Sequence, residues 1–461
     1  MKKKKTLSRR QFLSAATVAG AGTLVTGSAL LSACGGNKAA TTNDTQNTTP
    51  IKRLQSWRIP TLTDMAIDGK EIKVGLVGCG GQGTGDIINL TKAANGIKII
   101  ALGDVLQDKI DGSRKRIKDE TGQEVPAENC FVGFDSYQKV IDSGVDLVLL
   151  ITPPVFRPLH FEAAVKARKH VFMEKPISVD VAGSLKLLAT SKIADTQGLC
   201  AVTGTQRRHQ RSYVEAFKKV AEGMIGEITG GNVYWNGGQL WYRERQKEWS
   251  DMEWMVRDWV NWNWLSGDHI VEQHVHNIDV FNWFSGLKPV AGTGFGARQR
   301  RVTGDQYDMF SVDFEYENGV HMHSMCRQIN GTTSNISEYI QGTKGSLYTN
   351  ASHKAIIKDL QGNVLWEWDH EKEKQEFKQT NPYVLQFVDL ITAIRSNKPV
   401  NETEATANSS LLAVLGRQSA YTGKRYTWDD IKAMNMDYLP ADPKMGPMDM
   451  KQYTVPVPGE K

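Results

Sequence analysis

The pattern of apolar and polar positions divides the chain into two differently built parts. In residues 71–205, short apolar runs alternate with stretches of helical spacing such as DIINLTKAA (86–94) and HFEAAVKARK (160–169). Because the connections are short, this part is predicted to form a parallel sheet with helices on both faces. Its buried strands are predicted at IKVGLVG (72–78), IKIIALGDV (97–105), VDLVLLITPP (145–154), HVFMEKP (170–176) and LCAVTGTQRR (199–208).

From residue 206 onward, apolar positions alternate singly with polar ones, and glycines mark the turns. This pattern indicates an α/β domain with a mainly antiparallel sheet, in which ENG (317–319) is a hairpin turn. NPYVLQFVDLITAIRS (381–396) has the spacing of an amphipathic helix. The predicted strand regions are GEITGGNVYWNG (226–237), DMFSVDFEYENGVHMHSMCRQ (308–328) and GSLYTN (345–350).

The N-terminus has a basic region with SRRQFL (8–13), then an uncharged stretch, then LSAC, which ends at Cys34. This order is typical of a twin-arginine export signal followed by a lipobox, in which the cysteine carries lipid. We therefore expect a protein exported to the periplasm or cell envelope, with membrane contact only through its lipid anchor. An ordinary cleaved signal with an incidental cysteine is the alternative.

The net charge depends on that N-terminal segment. The whole chain carries +5, but residues 1–33 hold six basic residues and no acidic one, so without them the charge falls to −1. A nearly neutral body has no general electrostatic reason to bind nucleic acid. The proportions of 40% hydrophobic and 23% charged residues are typical of a soluble globular protein.

A glycine motif directly follows the first predicted strand. Gly78, Gly80 and Gly83 form G-x-G-x-x-G between a strand and a helix, which is the Rossmann arrangement for a dinucleotide pyrophosphate at a helix N-terminus. Gly81 and Gln82 lie in the same turn and are also predicted to contact the cofactor.

Asp104 strengthens this interpretation because it lies at the end of the next predicted strand. A carboxylate there can accept hydrogen bonds from the ribose hydroxyls of the adenosine, and it repels a 2′-phosphate. The sequence therefore favours NAD as cofactor, while Arg114 and Arg116, close by in sequence, leave NADP open.

The motifs GLVGCGGQG, ITPP, EKPIS and EQHVHNIDVFNW occur in this order along the chain. On these motifs the chain resembles the Gfo/Idh/MocA family of glucose–fructose oxidoreductase and inositol dehydrogenase relatives, from residue 71 to about 430. AYTGKRYTW (420–428) also resembles the C-terminal region of that family. The resemblance implies a Rossmann domain, a second α/β domain whose sheet is open on one face, and oxidation or reduction of sugars and cyclitols.

The resemblance also implies roles for single residues. Lys175, in Glu174-Lys175-Pro176, matches the lysine that contacts the reacting hydroxyl, and His276 matches the acid/base histidine. Asp279 matches the last acid of the D-x-x-x-H-x-x-D stretch, whereas Glu272 and His274 depart from the usual Asp and Gly. The further residues predicted to bind the cofactor are Thr152, Pro153, His160, Glu174, Lys175 and Gln206, and Arg208 is predicted near the substrate.

Oxidation of a secondary alcohol removes a hydride from carbon and a proton from oxygen. Histidine is the natural base for that proton near neutral pH, and a lysine can hydrogen-bond the oxygen as charge builds. If residues 268–281 form one helix, Glu272, His276 and Asp279 share a face, and Glu272 can orient the imidazole. Lys175, His276 and Glu272 are therefore the predicted catalytic residues.

Eight of the twelve tryptophans lie within 49 residues, from Trp235 to Trp283. Aromatic faces beside hydrogen-bonding groups suit sugar rings, although most of these tryptophans are expected to pack the domain. The residues predicted at the substrate are Arg208, Trp241, Trp264, His274 and Asp279.

No metal site is predicted. His269, Glu272, His274 and His276 are metal-binding residue types, but residues 274 and 276 leave a helix on different faces, which disfavours zinc.

The sequence therefore predicts an exported NAD(P)-dependent oxidoreductase that acts on a secondary alcohol of a sugar, cyclitol or glycoside, with a 3-keto sugar as one product class. Because no nucleotide pool exists outside the cytoplasm, the NAD is expected to be tightly bound. An NAD-dependent glycosidase of the same fold and a non-catalytic sugar-binding lipoprotein are the alternatives. The open sheet face and the proline-rich tail favour a homo-oligomer.

The predicted organisation has five segments. They are an export signal with lipobox (1–34), a polar linker (35–70), an NAD-binding Rossmann domain (71–205), a substrate and oligomerisation domain (206–438) and a proline-rich arm (439–461) that lies on the body or on a partner.

Overall fold

The five apolar runs of the first part form strands of one sheet, as predicted, and a short additional strand extends one edge. The computed structural model describes residues 50–55 and 57–459, so the predicted export signal and Cys34 lie outside the described residues. The strands are β1 Ile72–Val77, β2 Ile97–Asp104, β3 Cys130–Val132, β4 Leu147–Leu150, β5 His170–Met173 and β6 Ala201–Thr203. They pair in parallel in the order β3-β2-β1-β4-β5-β6, which confirms the doubly wound Rossmann arrangement.

Helices cover both faces of this sheet because alternate residues of its strands face different cores. On β4, Leu147 and Leu149 belong to one apolar cluster, and Val148 and Leu150 belong to another. The helices in this part of the chain are α2 Gly81–Ala93, α3 Gln107–Thr121, α4 Ser136–Asp142, α5 Arg157–Lys166 and α6 Val181–Thr196, with 3₁₀ turns at Ala127–Asn129 and Pro154–Phe156; a short helix, α1 Lys52–Gln55, precedes them and packs beneath the second sheet.

The second sheet is mainly antiparallel, as the single alternation predicts. Its strands are β7 Ile228–Gly237, β8 Pro289–Ala297, β9 Met309–Tyr316, β10 His321–Gln328, β11 Asn335–Gly342, β12 Gly345–Asn350, β13 Ala355–Asp359, β14 Val364–Glu367 and β15 Tyr426–Thr427. Their order is β14-β13-β12-β11-β7-β10-β9-β8-β15, and only the central pair of β7 with β10 is parallel. Burial alternates along β9, so one face of the sheet is covered and the other is open.

The turn between β9 and β10 is the predicted ENG hairpin. Asn318 and Gly319 both have positive φ, 64° and 70°, which is the backbone that a tight hairpin needs.

Helices complete the second part of the chain and cover the inner face of its sheet. They are α7 Arg211–Ala221, α8 Asp251–Arg257, α9 Asn263–Ser266, α10 His269–Glu272, α11 Val275–Ser285, α12 His370–Glu376, α13 Pro382–Arg395, α14 Thr403–Thr422 and α15 Trp428–Ala433, with 3₁₀ turns at Gln206–His209, Trp259–Asn261, Glu317–Gly319 and Met450–Gln452. None of the helices within residues 50–459 combines the length and apolar character needed to cross a membrane.

Helix α13 leaves the part of the chain in which it was predicted and packs against the first sheet. Its Leu385, Phe387 and Leu390 share an apolar cluster with the β1 residues Val74 and Leu76. The core of the first sheet is therefore built partly from residues that follow the second sheet in sequence.

The described end of the predicted linker differs from a free polar tether. Ile51 and Leu54 are buried in the core beneath the second sheet, and Ala66 is buried beneath the first. Arg58 donates two hydrogen bonds to the Asp389 carboxylate on α13, at 2.5 and 2.7 Å. These residues are widely spaced among polar ones and follow neither helical nor strand periodicity. The sequence pattern therefore did not predict that this segment packs on the body.

Candidate active site

The glycine turn after β1 has the geometry that a bound dinucleotide requires. Gly78 has a φ of 98°, and a Cβ on Gly83 would lie 2.0 Å from the Gly78 carbonyl oxygen, so both positions require glycine. A Cβ added to Gly80 or Gly81 would meet no atom within 4 Å, which leaves open space where the backbone can meet a pyrophosphate. No side chain caps the start of α2, so its first N–H groups face this space.

A cavity of about 470 Å³ lies over this turn. Asp104, at the end of β2, lies in its wall and accepts hydrogen bonds from the backbone N–H groups of Cys79 at 2.7 Å and Leu106 at 3.0 Å. Burial raises the pKa of Asp104. The turn, the carboxylate and the open space together fit the pyrophosphate and ribose of a dinucleotide.

The two arginines that left NADP open do not line this cavity. Arg114 donates to the Val125 carbonyl, and Arg116 pairs with Glu120 on the outside of α3. The basic residues in the cavity wall are Lys109, Arg243 and Arg257.

The predicted cofactor residues divide between two cavities. Those in the wall of the first are Gly78, Gly80, Gly81, Gln82, Gly83, Asp104, Thr152, Pro153 and His160. His160 lies with its Nδ1 3.3 Å from Thr152 Oγ1 and its ring stacked on Tyr137, and burial together with Arg157 lowers its pKa to about 3. The imidazole is therefore neutral at physiological pH.

Glu174, Lys175 and Gln206 line a second cavity of about 290 Å³ instead. The two cavities adjoin, because Gln82, Ile151, Trp241 and Trp259 lie in the walls of both. The lining of the second cavity comes from many parts of the chain: Gln82, Ile151, Arg157, Glu174, Lys175, Gln206, Trp235, Leu240, Trp241, Trp259, Val260, Glu272, Gln273, His276 and Tyr383.

Lys175 is held in the second cavity by Glu272. Its Nζ donates to the Glu272 carbonyl at 2.5 Å and to the Glu272 carboxylate at 3.1 Å, and both side chains are about nine-tenths buried. A buried ion pair with a short backbone contact fixes the ammonium at one point of the wall.

Arg157 fixes the loop that carries Lys175. Its guanidinium, which is buried, donates to the carbonyls of Thr152, Glu174 and Pro176 at 2.6–2.8 Å. Burial lowers the pKa of Arg157 to about 10, so it remains charged at neutral pH. The loops after β4 and β5 are thereby tied together at the point where the cavities meet.

Residues 268–281 do not form one helix, so the condition for a shared face of Glu272, His276 and Asp279 is not met. Helix α10 ends at Glu272, α11 begins at Val275, and the His274 ring contacts Ser324 Oγ of β10 at 2.7 Å. This tertiary contact outweighs the local helical pattern. Glu272 consequently pairs with Lys175 and Gln273 rather than orienting His276.

His276 lies in the wall of the second cavity as a neutral base. Its ring is stacked 5.7 Å from Trp235, and its Nδ1 has no hydrogen-bond partner among the described residues. Burial, followed by the charges of Lys175 and Arg207, lowers its pKa well below the ordinary value. A neutral imidazole beside an ammonium can take a proton from a hydroxyl that the ammonium polarises.

Four residues predicted at the substrate line neither cavity. Arg208 and Asp279 form a buried ion pair at 2.8 and 2.9 Å, with the guanidinium between Trp57 and Trp283. His274 is fully buried, and the pKa of its ring is lowered to about 3 by burial. Trp264 is buried against Phe156 and Tyr453. Only Trp241 of the predicted substrate residues reaches the cavities.

Several site residues were not predicted. Trp235 and Gln273 lie within the motifs quoted above, but the sequence assigned them no individual role. Tyr383 lies in the first turn of α13, which the sequence predicted only as an amphipathic helix. Arg157 follows the TPP loop closely in sequence, and this proximity was the one available signal for its role.

The residues weighed for zinc do not converge, since His269 pairs with Asp268 and His274 with Ser324. A different group, His353, His370 and Glu373, does converge outside both cavities. The Glu373 carboxylate already accepts from Trp368 Nε1 at 3.1 Å and His370 Nδ1 at 2.7 Å, and it faces Arg211 at 3.4 Å. Burial alone would raise the pKa of Glu373, but interactions with His353, His370 and Trp368 outweigh it and lower the pKa to about 2. These contacts fit a structural role for the three residues.

Comparison with known proteins places the two parts of the chain in one family. Residues 72–203 match the family described as oxidoreductase family, NAD-binding Rossmann fold, and residues 213–348 match the GFO/IDH/MocA C-terminal domain. Together these matches cover more than half of the chain.

The chain is 23% identical over 284 residues to scyllo-inositol 2-dehydrogenase (NAD(+)) of Bacillus subtilis, covering 60% of this chain and 73% of that protein. It is 28% identical over 187 residues to a glycosyl hydrolase family 109 protein of Solibacter usitatus, covering 40% of this chain and less than half, 42%, of the relative. The structure of scyllo-inositol dehydrogenase from Lactobacillus casei with bound NAD(H) and scyllo-inositol superposes with a TM-score of 0.58, at 20% identity, covering 77% of this chain and 99% of that one.

Proposed function

The chain belongs to the Gfo/Idh/MocA family of NAD-binding oxidoreductases, and on that premise we propose that it oxidises or reduces a secondary alcohol of a sugar or polyol. The observation that carries the proposal is the pair of adjoining cavities. One has the glycine turn and Asp104, and the other has Lys175 and His276 in its wall. An alcohol in the second cavity thus lies next to the end of the first.

When bound in the first cavity, the nicotinamide supplies the acceptor or donor of the hydride. The chain supplies the groups that handle the oxygen. The Lys175 ammonium, held by Glu272, donates a hydrogen bond to the alcohol oxygen and stabilises it as negative charge builds. The neutral imidazole of His276 takes the proton in oxidation and returns it in reduction.

The size and lining of the second cavity favour a single ring as substrate. Its volume of about 290 Å³ lies just below the range for small-molecule sites, about 300–1,000 Å³. Trp235, Trp241 and Trp259 offer aromatic faces to the C–H face of such a ring, and Gln206 and Gln273 offer hydrogen-bonding groups. A cyclitol or monosaccharide meets these conditions.

The test is dehydrogenase activity on a panel of inositols and aldoses, measured through NADH absorbance with Lys175→Met and His276→Asn variants. Each variant should lower kcat by about 10²–10⁴-fold, because each removes a group that acts on the moving proton or its oxygen. Lys186→Met and His321→Asn, at exposed positions distant from the cavities, are the matched controls.

Ligand binding without turnover in the wild type, unaltered in both site variants, would contradict this function. That outcome would instead support a non-catalytic sugar-binding protein. The two variants must therefore be compared for ligand affinity as well as for rate.

We propose a glycosidase as the second candidate, because one relative carries the name glycosyl hydrolase family 109 protein. Oxidation at C3 of a glycoside would acidify the C2–H bond and permit elimination of the aglycone. Addition of water at C1 and return of the hydride to C3 would then release the sugar and regenerate NAD, so net NADH would not accumulate. Release of nitrophenol from nitrophenyl glycosides without an NADH signal would identify this reaction, whereas a net NADH signal from free sugars supports the dehydrogenase.

We also propose that the protein is exported by the twin-arginine route, anchored by lipid at Cys34, and located in the periplasm or cell envelope. SRRQFL (8–13) and LSAC before the polar stretch support this proposal. Replacing Arg9 and Arg10 with lysine should retain the protein in the cytoplasm. Cys34→Ala should abolish lipid labelling, and labelling that persists in this variant would contradict the anchor.

A homo-oligomer is proposed from the open face of the second sheet. Phe295 and Met325 both stand opposite Ser311, in one row across β8, β9 and β10, and Tyr339 lies on the same face. Phe295 is 71% exposed, which is unusual for a phenylalanine on a sheet. Light scattering should show more than one copy, and Phe295→Glu should shift the population toward the monomer.

A further inference from the structure

Residues 238–262, here called the strap, cross the outside of the first cavity. The strap leaves the end of β7, contains α8 and the 3₁₀ turn at Trp259–Asn261, and ends before α9. Five of its residues lie in the wall of the first cavity together with the glycine turn: Trp241, Arg243, Val256, Arg257 and Trp259. The second part of the chain thus supplies a wall of a cavity that otherwise belongs to the first sheet.

The strap contacts both the junction of the two cavities and helix α3. Trp241 and Trp259 lie where the two cavities meet, which is the end nearest Lys175. Arg257 donates to both oxygens of Asp108, at 2.8 and 3.1 Å, in the first turn of α3. This ion pair joins the strap to the helix that follows Asp104.

The C-terminal arm, residues 439–459, holds the strap from outside. The Met252 N–H of α8 donates to the Gly446 carbonyl at 3.1 Å, and the Met448 N–H donates to Asp251 Oδ2 at 2.9 Å. Further along, Tyr307 donates its hydroxyl to the Pro456 carbonyl at 2.8 Å. The arm is therefore attached on both sides of its aromatic contact.

An apolar cluster joins the arm, the strap and the first sheet. The Tyr453 ring lies 5.9 Å from Trp262 and 6.4 Å from Trp264, measured between ring centroids. The same cluster contains Met252, Met255 and Val256 of α8, Leu106, Val155 and Phe156 from the first part, and Met448, Met450 and Tyr453 of the arm. Lifting α8 away from the cavity would expose this apolar surface to water.

From these contacts we propose that the strap is the second half of the dinucleotide site and that the C-terminal arm sets how slowly the dinucleotide leaves it. The inference rests on the proposed function only in that NAD occupies the first cavity. A dinucleotide enclosed between the glycine turn and the strap leaves only when α8 separates from the turn. That movement requires breaking the Arg257–Asp108 pair and the cluster around Tyr453.

Arg243 gives this wall a charge that suits the ligand. Its guanidinium lies over the Trp241 ring at 5.3 Å, its backbone N–H donates to Asp258 Oδ1 at 2.6 Å, and the residue lines the cavity. The pyrophosphate of a dinucleotide carries two negative charges, with which a guanidinium can form charge-assisted hydrogen bonds. Arg243 is therefore the strap residue assigned to the phosphates.

The experiment measures release of NADH from the loaded, full-length protein. NADH fluorescence is followed after dilution into excess NAD for the wild type, Tyr453→Ala, Arg257→Gln, Arg243→Gln and a chain that ends at residue 438. The arm substitution should accelerate release about tenfold, since it removes the aromatic anchor of the cluster, and the shortened chain should exceed that change. Val457→Ala, half-exposed in the same arm, is the matched control and should remain within twofold of wild type.

The result that overturns the inference is unchanged release from Tyr453→Ala and Arg257→Gln proteins whose circular dichroism and Tm match those of wild type. The point variants keep the test decisive if the shortened chain fails to fold. Slow NADH release from a wild type that oxidises no alcohol would sink the proposed function and leave this inference standing. Alcohol oxidation together with rapid exchange of NADH that does not depend on the arm would support the proposed function and overturn this inference.

Discussion

The two cavities adjoin, yet they are built from different materials. At the glycine turn the first is backbone, with glycines that lack side chains and the N–H groups of a helix start, and its remaining wall adds the half-buried Asp104 and the strap side chains. The second is formed by side chains, among them the buried ion pair of Lys175 with Glu272 and the neutral ring of His276. The glycine turn of the first cavity depends on space that no side chain fills, whereas the second cavity depends on where its charged side chains are held.

This difference has a consequence for substitution. Replacing a glycine of the first cavity with alanine fills space at the turn, and should therefore affect NAD binding or folding. Changing a charge without changing volume in the second cavity should affect rate. The following variants test this separation, beginning with the largest expected effect.

Gly83→Ala should abolish NAD binding and lower the free energy of unfolding by about 1–3 kcal/mol, because its Cβ would lie 2.0 Å from the Gly78 carbonyl oxygen. Denaturant unfolding and NADH titration measure the two effects. Gly85→Ala, two residues along the same helix with no atom within 4 Å, is the control and should be neutral or stabilising by up to about 1 kcal/mol. Equal behaviour of the two variants would show that the turn does not need glycine at position 83.

Glu272→Gln should lower kcat by about ten- to a hundredfold and leave NADH affinity unchanged. The variant keeps the carbonyl contact to Lys175 but weakens the carboxylate contact, so the ammonium loses its fixed position. Glu162→Gln, which breaks exposed pairs with Lys166 and Lys186, is the control. A change in NADH affinity as large as the change in kcat would mean that the two cavities are not separable in this way.

Gly80→Ala should weaken NAD binding by about tenfold without lowering the Tm. The protein leaves space for a Cβ at this position, and the methyl group would stand where the dinucleotide approaches the backbone. Gly112→Ala, also without neighbours within 4 Å but away from the cavity wall, should retain wild-type affinity. Wild-type affinity in both variants would place the pyrophosphate elsewhere.

The smallest expected effect is in the pH profile. His276 acts as a base when neutral, and burial, Lys175 and Arg207 lower its pKa, so kcat/KM for oxidation should remain flat from about pH 8 to pH 6. Trp235→Ala admits water to the ring and raises the pKa toward its ordinary value. The acid limb of the profile should then move to higher pH. A wild-type profile that already falls between pH 7 and pH 6 would contradict a neutral, buried base.

The same difference in materials explains which features could be predicted from the sequence. Strands β1 and β2, the glycine turn and Asp104 come from a continuous stretch of about thirty residues, so local pattern and spacing were sufficient. The other predicted strands of the first sheet are continuous apolar runs that can be recognised one at a time. The antiparallel character of the second sheet and its ENG hairpin were likewise local features and were confirmed.

The second cavity could be predicted only in part. Lys175 and His276 were found through motifs, but their partners depend on long-range contacts. Glu272 turns to Lys175 because the His274–Ser324 contact interrupts the helix, and no local period shows a contact between residues 50 positions apart. Arg208 and Asp279 carry charges typical of a substrate site, yet they satisfy each other in the interior. The position of the strap over the first cavity was not predicted for a similar reason. Tryptophans and arginines occur both in substrate sites and in packed walls, so residue type alone does not distinguish the two.

The return of α13 to the first sheet bears on the order of events during synthesis. Phe387 packs on Phe172 of β5 at 4.5 Å, and Asn401 bridges to Ala201 of β6. The nucleotide-binding half thus lacks part of its interior until about four hundred residues have left the ribosome. Nascent chains shorter than this should therefore expose apolar strands to chaperones. A transport system that accepts only folded proteins could bind this chain only after nearly all of it has been synthesised.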